Sequence, residues 1–241
     1  RGARAASELI DLGEHRGAHP RIGALDVCPV VWLSPADRDA ALAEAHGLAA
    51  RIGEELGVPV FLYGPLAASE ERRERAFFRR GGIEELRRRM ESGELEPDRG
   101  PRRPHPSAGA TLVTARPPLA AFNVELDTPD VAVAGAIASS LREEGGGLPG
   151  VRAIGIALEG GRTQVSTNVH DPVAVPLAEV VAEIRRLAGP YGARPLHAEI
   201  VGLVPEASLA GFPEDLSLGA FEVTRHVIEQ RLAGLGEDEE G

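Results

Sequence analysis

VRAIGIALEGGRTQVSTNV, residues 151–169, decides how the second half of the chain folds. Two alternating apolar runs, 151–158 and 163–169, flank LEGGR (158–162), and a Gly-Gly pair between such runs is a tight hairpin turn. Outward from this hairpin, LAAFNVEL (119–126) reads as a strand and 130–144 as a helix. Beyond it come a helix at 176–188, a strand LHAEIVGLV at 196–204 and a last helix near 217–233. The order is βαββαβ plus a helix, the ferredoxin-like plan.

The first half is a second α/β unit. IGALDVCPVVWL (22–33) is an apolar, strand-like run. Ser34 then supplies an N-cap and Pro35 a first helical residue for a long amphipathic helix that ends at Gly57. VPVFLY (58–63) is a short buried strand, and two arginine-rich helical patterns, 69–80 and 83–92, present what read as solvated charged faces. GELEPDRGPRRPHPSAG (93–109) is too rich in glycine and proline for helix or strand, so it is an irregular loop that returns as the strand ATLVTA. The fold class expected is therefore α/β (α+β): two sheet-and-helix subdomains, 1–116 and 117–236, with a ligand cleft between them and an acidic tail at 237–241.

Composition limits the function. The 241 residues carry 26 basic side chains, all arginine, against 37 acids, a net charge of −11. Such a chain does not attract nucleic acid or an anionic membrane through its field, and aromatic residues at 4% supply no base-stacking sheet for an RNA-binding module. Apolar stretches such as VAVAGAIASSL (131–141) are far short of the ~20 residues a membrane span needs. The one cysteine, Cys28, forms no internal disulfide and reads as a small buried hydrophobe; a cytoplasmic setting is expected.

His15 and His19 are four apart, the spacing at which two imidazoles on one helix face share a metal. Gly17 and Pro20 argue against a helix there, and no third ligand follows, so no metal is expected. The alternatives for such a histidine are a surface position or a general acid-base in a loop facing a cleft. In the loop, Arg102, Arg103 and His105 are donors suited to carboxylates. Gln164, Ser166 and Asn168 alternate along one face of a strand, where they line a cleft or meet water.

Taken in order, HRGAHPRIGALDVCP (15–29), ELGVPVFLYG (55–64), GPRRPHPSAGAT (100–111) with Arg116, AFNVEL (121–126), QVSTN (164–168) and EIVGLVP (199–205) closely resemble the glutamate formiminotransferase family, which includes the transferase half of formiminotransferase-cyclodeaminase. The resemblance runs from Ala5 to about Gly236. It implies that His19, not His15, is the catalytic acid-base, with Arg21 beside it. It implies that the glycine-proline loop binds folate through Gly100, Pro101, Arg102, Arg103, Pro104, His105, Pro106, Ser107, Ala108 and Gly109. Arg116, Asn123, Gln164, Ser166 and Asn168 are the further cleft candidates.

The activity implied is transfer of the formimino group from N-formimino-L-glutamate to N5 of tetrahydrofolate, the co-substrate, in histidine breakdown and one-carbon metabolism. The partners implied are those two small molecules, in a possible homodimer. The sequence does not separate a formimino from a formyl donor, and a non-catalytic folate-binding paralogue is the rival from another class. The opening residues read as the last turns of a helix already under way, and family members carry strands ahead of it, so the chain is expected to lack an amino-terminal segment.

Overall fold

A computed structural model describes residues 1–17 and 19–237. The expected acidic tail falls, from 238 on, outside the described residues. The chain divides into two units, Arg1–Pro117 and Pro118 onward.

In the first unit, β1 (Val27–Val31), β2 (Val60–Leu62) and β3 (Thr111–Arg116) form a parallel sheet in the order β1-β3-β2. Parallel strands need helical crossovers, which cover both faces. The short helix α1 (Gly2–Leu9) and then α2 (Arg38–Glu55) lie ahead of β2. Ala41, Ala45, Ala49 and Ile52 of α2 form a buried stripe against Val60, Leu62, Val113 and Ala115. On the other face, α3 (Arg75–Arg79) and α4 (Gly82–Glu91) bring Phe78, Leu86 and Met90 against Phe61, Tyr63 and Leu112. The Ser34 hydroxyl accepts the Ala36 N–H at 3.3 Å, and Pro35 opens a 3-10 turn that runs into α2.

Two expectations are corrected here. The apolar run 22–33 is regular strand only over Val27–Val31, because Ile22 N–H turns back to the Asp26 carboxylate at 2.6 Å and Gly23 bridges Gly109 instead of continuing the sheet. The arginine-rich segments are not simply solvated faces. Arg89 is 1% exposed, with Nε on Glu94 at 2.9 Å, Nη1 on the Phe77 carbonyl at 2.8 Å and its guanidinium 4.5 Å from the Phe77 ring centre. Arg72 pairs with Asp98 and Arg79 with Asp26, both half-buried. A long side chain can bury its stem and spend its head group on polar atoms that the packing would otherwise strand.

In the second unit, β4 (Ala120–Leu126), β5 (Val151–Ala157), β6 (Thr163–Val169) and β7 (Pro195–Val201) form an antiparallel sheet in the order β5-β6-β4-β7. With α5 (Val131–Leu141) between β4 and β5 and α6 (Leu177–Ala188) between β6 and β7, this is the ferredoxin-like arrangement the hairpin announced. The hairpin closes with Leu158 N–H on the Arg162 carbonyl at 2.9 Å, and Gly160 and Gly161 take the positive φ values, 83° and 75°, that its turn requires. Phe122, Val124, Ile137, Leu141, Val165, Val180 and Ile184 are among the buried residues of one core. The last helix differs from the expected 217–233: Val227 is extended and bridges Val204, splitting the segment into α7 (Val223–His226) and α8 (Ile228–Glu237).

Candidate functional site

The histidine segment is shaped by one guanidinium. Arg21 donates to the carbonyls of Gly17 at 2.9 Å, His19 at 3.2 Å and His15 at 3.0 Å, gathering those three residues around itself. His19 sits in a bend with its residue exposed. His15 is exposed too, and among the described residues no group of three His, Cys, Asp or Glu could hold a metal ion.

The same segment is laced to the glycine-proline loop. Ala110 N–H donates to the Ile22 carbonyl at 2.9 Å, Ala24 N–H to Ala108 at 3.0 Å, and Leu12 N–H to Ser107 at 2.9 Å. The crossing is tight: a Cβ on Gly23 would overlap the Ala110 carbonyl oxygen, and one on Gly109, whose φ is 68°, would overlap the Ile22 carbonyl. Two blocks far apart in sequence thus become neighbours in space.

The loop's own shape rests on His105. Its backbone exchanges two hydrogen bonds with Gly109, at 2.8 and 2.9 Å, and its Nδ1 accepts the Ala108 N–H at 3.0 Å. A neutral ring that accepts at Nδ1 carries its proton on Nε2, which is left as a donor. Pro104 and Ala108 are buried, while Gly100, Arg102, Arg103 and Pro106 are exposed and Pro101 and Ser107 half-buried. Gly100 has φ 84° and lies against Gly53 of α2, whose missing Cβ would stand 2.7 Å from its nitrogen. Arg102 pairs with Glu96 at 2.8 Å on the surface.

Arg116 ends β3, half-buried, with Nη1 on the Pro117 carbonyl at 2.9 Å. It belongs to a basic group that the sequence reading missed. Tyr63, just past the end of β2, is buried, and that burial pushes its phenol above the ordinary range despite the opposing pull of Arg75, Arg116 and Arg79. Burial likewise lowers the basicity of Arg75 and Arg116, opposed in both by the Tyr63 oxygen when ionised and reinforced by Arg79 at Arg75 and by Arg75 at Arg116. The carboxyl ends of parallel strands are where α/β sheets gather ligand groups. The signal available in the sequence was Tyr63 at the end of VPVFLY. Cys28 is half-buried and burial raises its thiol, the opposite of what a nucleophile needs.

In the second unit, β4 pairs with both β6 and β7, so Asn123 lies opposite Ser166 and Glu199, Glu125 opposite Gln164 and His197, and Ala121 opposite Asn168. The structure therefore brings Asn123, Gln164, Ser166 and Asn168 to one face, away from the α5–α6 core, and adds Glu125, His197 and Glu199. Asn123 Nδ2 and Gln164 Nε2 both donate to Glu199 Oε1, at 2.8 and 3.1 Å. Glu125, 4% exposed, faces Arg162 Nη1 at 2.6 Å and His197 Nε2 at 3.4 Å. The strand LHAEIVGLV carries this second row of polar residues, but nothing in one strand shows which strand it will lie beside.

Two family models match the chain: the N-terminal subdomain of the formiminotransferase domain over residues 1–116, and the formiminotransferase domain over 121–212. Glutamate formimidoyltransferase of Streptococcus pyogenes serotype M1 is 38% identical over 231 residues, 95% of this chain and 77% of that protein. The Thermoplasma acidophilum protein of the same name is 37% identical over 235 residues, 96% and 77% of the two chains. Formimidoyltransferase-cyclodeaminase of Gallus gallus is 40% identical over 214 residues, 86% of this chain but 39% of the longer protein. Among the described residues no helix is long and apolar enough to cross a membrane.

Proposed function

The chain belongs to the formiminotransferase family of enzymes, and from that premise we propose that it moves the formimino group of N-formimino-L-glutamate to N5 of tetrahydrofolate. The observation that carries the proposal is the lacing of the His19 segment to the glycine-proline loop, through Ala110 to Ile22 and Ala24 to Ala108. The segment that carries His19 is thereby tied by its backbone to the loop that the resemblance assigns to folate, which supports the reading.

In this mechanism N5 attacks the formimino carbon and forms a tetrahedral adduct. His19 takes the proton that N5 must lose and returns it to the glutamate nitrogen, and the carbon–nitrogen bond to glutamate then breaks. The products are 5-formiminotetrahydrofolate and L-glutamate. An imidazole can take up a proton in one step and give it back in the next, so it can do both halves of this transfer. Arg21 acts as the brace that fixes the His19 backbone, not as a group that touches substrate. Arg102, Arg103 and Arg116 supply guanidiniums for the carboxylates that both substrates carry. Tetrahydrofolate is a co-substrate and no metal takes part. The step belongs to histidine breakdown and one-carbon metabolism in the cytoplasm, and a homodimer is the expected assembly.

The test is tetrahydrofolate-dependent release of glutamate from N-formimino-L-glutamate, wild type beside His19→Ala. Loss of a general acid-base lowers the rate by about 10²–10⁴, and the melting temperature stays put because the residue is exposed. A wild-type protein that binds tetrahydrofolate but releases no glutamate is instead the non-catalytic folate binder.

A further inference from the structure

We infer that Glu199 and Gln164 form a paired acceptor for a planar N–C–N donor edge, the edge offered by an amidine or by the amino-pyrimidinone side of a pterin. The inference rests on the proposed reaction, whose two substrates each present one such edge: the formimino nitrogens of the donor, and the 2-amino group with N3–H of tetrahydrofolate.

Among the described residues the bonds that hold the Glu199 carboxylate come from neutral amides. Two side-chain amides, Asn123 Nδ2 and Gln164 Nε2, converge on its Oε1, while Arg162 and the His197 ring face Glu125. The carboxylate also settles which way the Gln164 amide points, since only its nitrogen can face an acceptor. The amide oxygen is thereby aimed away from Glu199. Gln164 is 5% exposed, and among the described residues its Oε1 meets no donor.

Buried polar atoms in folded proteins are almost always satisfied, so a buried oxygen with no donor asks for one from outside. The face thus offers two acceptors joined by a single amide, a fixed carboxylate and an unfilled carbonyl. A ligand edge with two N–H groups on one carbon satisfies both, and a cationic amidine adds charge pairing with Glu199. A formyl group, with an oxygen where the formimino group has N–H, cannot make the second bond and places an acceptor against acceptors. The pair therefore accounts for choice of donor if the amidine is what it holds.

The experiment is calorimetric binding of N-formimino-L-glutamate, N-formyl-L-glutamate and tetrahydrofolate to wild type, Glu199→Gln and Gln164→Leu, with folding checked by circular dichroism. Losing a hydrogen bond to a charged group weakens binding about ten- to a hundredfold. A loss of that size confined to N-formimino-L-glutamate makes the amidine the ligand, and one confined to tetrahydrofolate makes it the pterin edge. Folded variants that bind all three compounds like wild type overturn the inference. If wild type binds neither substrate, the transferase reading fails, and 2-amino-4-hydroxypteridine alone then decides: Glu199-dependent binding upholds the acceptor pair, and its absence overturns it.

Discussion

Gly23 and Ala110 lie so close that a Cβ on the first would fall on the carbonyl oxygen of the second. This approach is the hinge pin of the candidate site, because the hydrogen bonds on either side of it join the His19 bend to the glycine-proline loop.

Gly23→Ala is therefore expected to push the two segments apart. Overpacking of this kind costs about 1–3 kcal/mol, to be read from urea unfolding, and folate binding should fall with it. Gly47→Ala is the control: on the exposed side of α2 nothing lies within 4 Å of a Cβ, and alanine for glycine in a helix adds up to ~1 kcal/mol.

Arg89→Met should destabilise the first unit by about 1–3 kcal/mol. Methionine fills most of the space but leaves the Phe77 carbonyl without the donor it now has at 2.8 Å, while Glu94 keeps its surface pair with Arg88. Arg88→Met removes exposed pairs with Glu85 and Glu94 and should change the unfolding midpoint little.

Tyr63 should ionise above the ordinary phenol value of 10.0, because burial outweighs the nearby guanidiniums. In a Tyr191→Phe background, the only remaining phenolate signal in an alkaline absorbance titration should come late, and Tyr63→Phe should abolish it. The sign for stability follows: as pH rises past 10, the unfolded chain gives up this proton and the folded chain holds it, so stability falls.

Asp127 ties the end of β4 to the start of β7, accepting Arg194 N–H at 2.6 Å and Nε at 3.2 Å. Those bonds, the backbone one foremost, hold its carboxyl below the usual 3.8. A lowered carboxyl stabilises the fold above its unfolded value and loses that contribution as pH falls through the folded one. The stability gap between wild type and Asp127→Asn should therefore shrink on acidification below 3.8, followed by urea unfolding across that range.

The second unit was legible because its signals are local. Gly160 and Gly161 fix a turn, the turn fixes the register of β5 on β6, and period-two alternation then assigns the faces of Asn123, Gln164, Ser166 and Asn168. The first unit was legible only in part. Ile22 and Gly23 look like strand until Gly109 arrives from far along the chain to claim them, and Arg89 looks like a surface residue until Phe77 closes over it. Glu199 joined the candidate site through its register against Asn123, a pairing across strands that no single segment encodes.

The strand order β1-β3-β2 has a consequence for the time course of folding. In the sheet β1 and β2 both lie beside β3, the last of the three to be synthesised, so neither gains that neighbour until the ribosome has passed Arg116. Closing such distant pairings is slow compared with zipping a hairpin. The β5–β6 hairpin, joined by a few residues, can form in microseconds. The later half of the chain is thus built to reach its native pairing quickly, while the half that carries His19 waits with two strand edges open, the interval in which a chaperone would have most to protect.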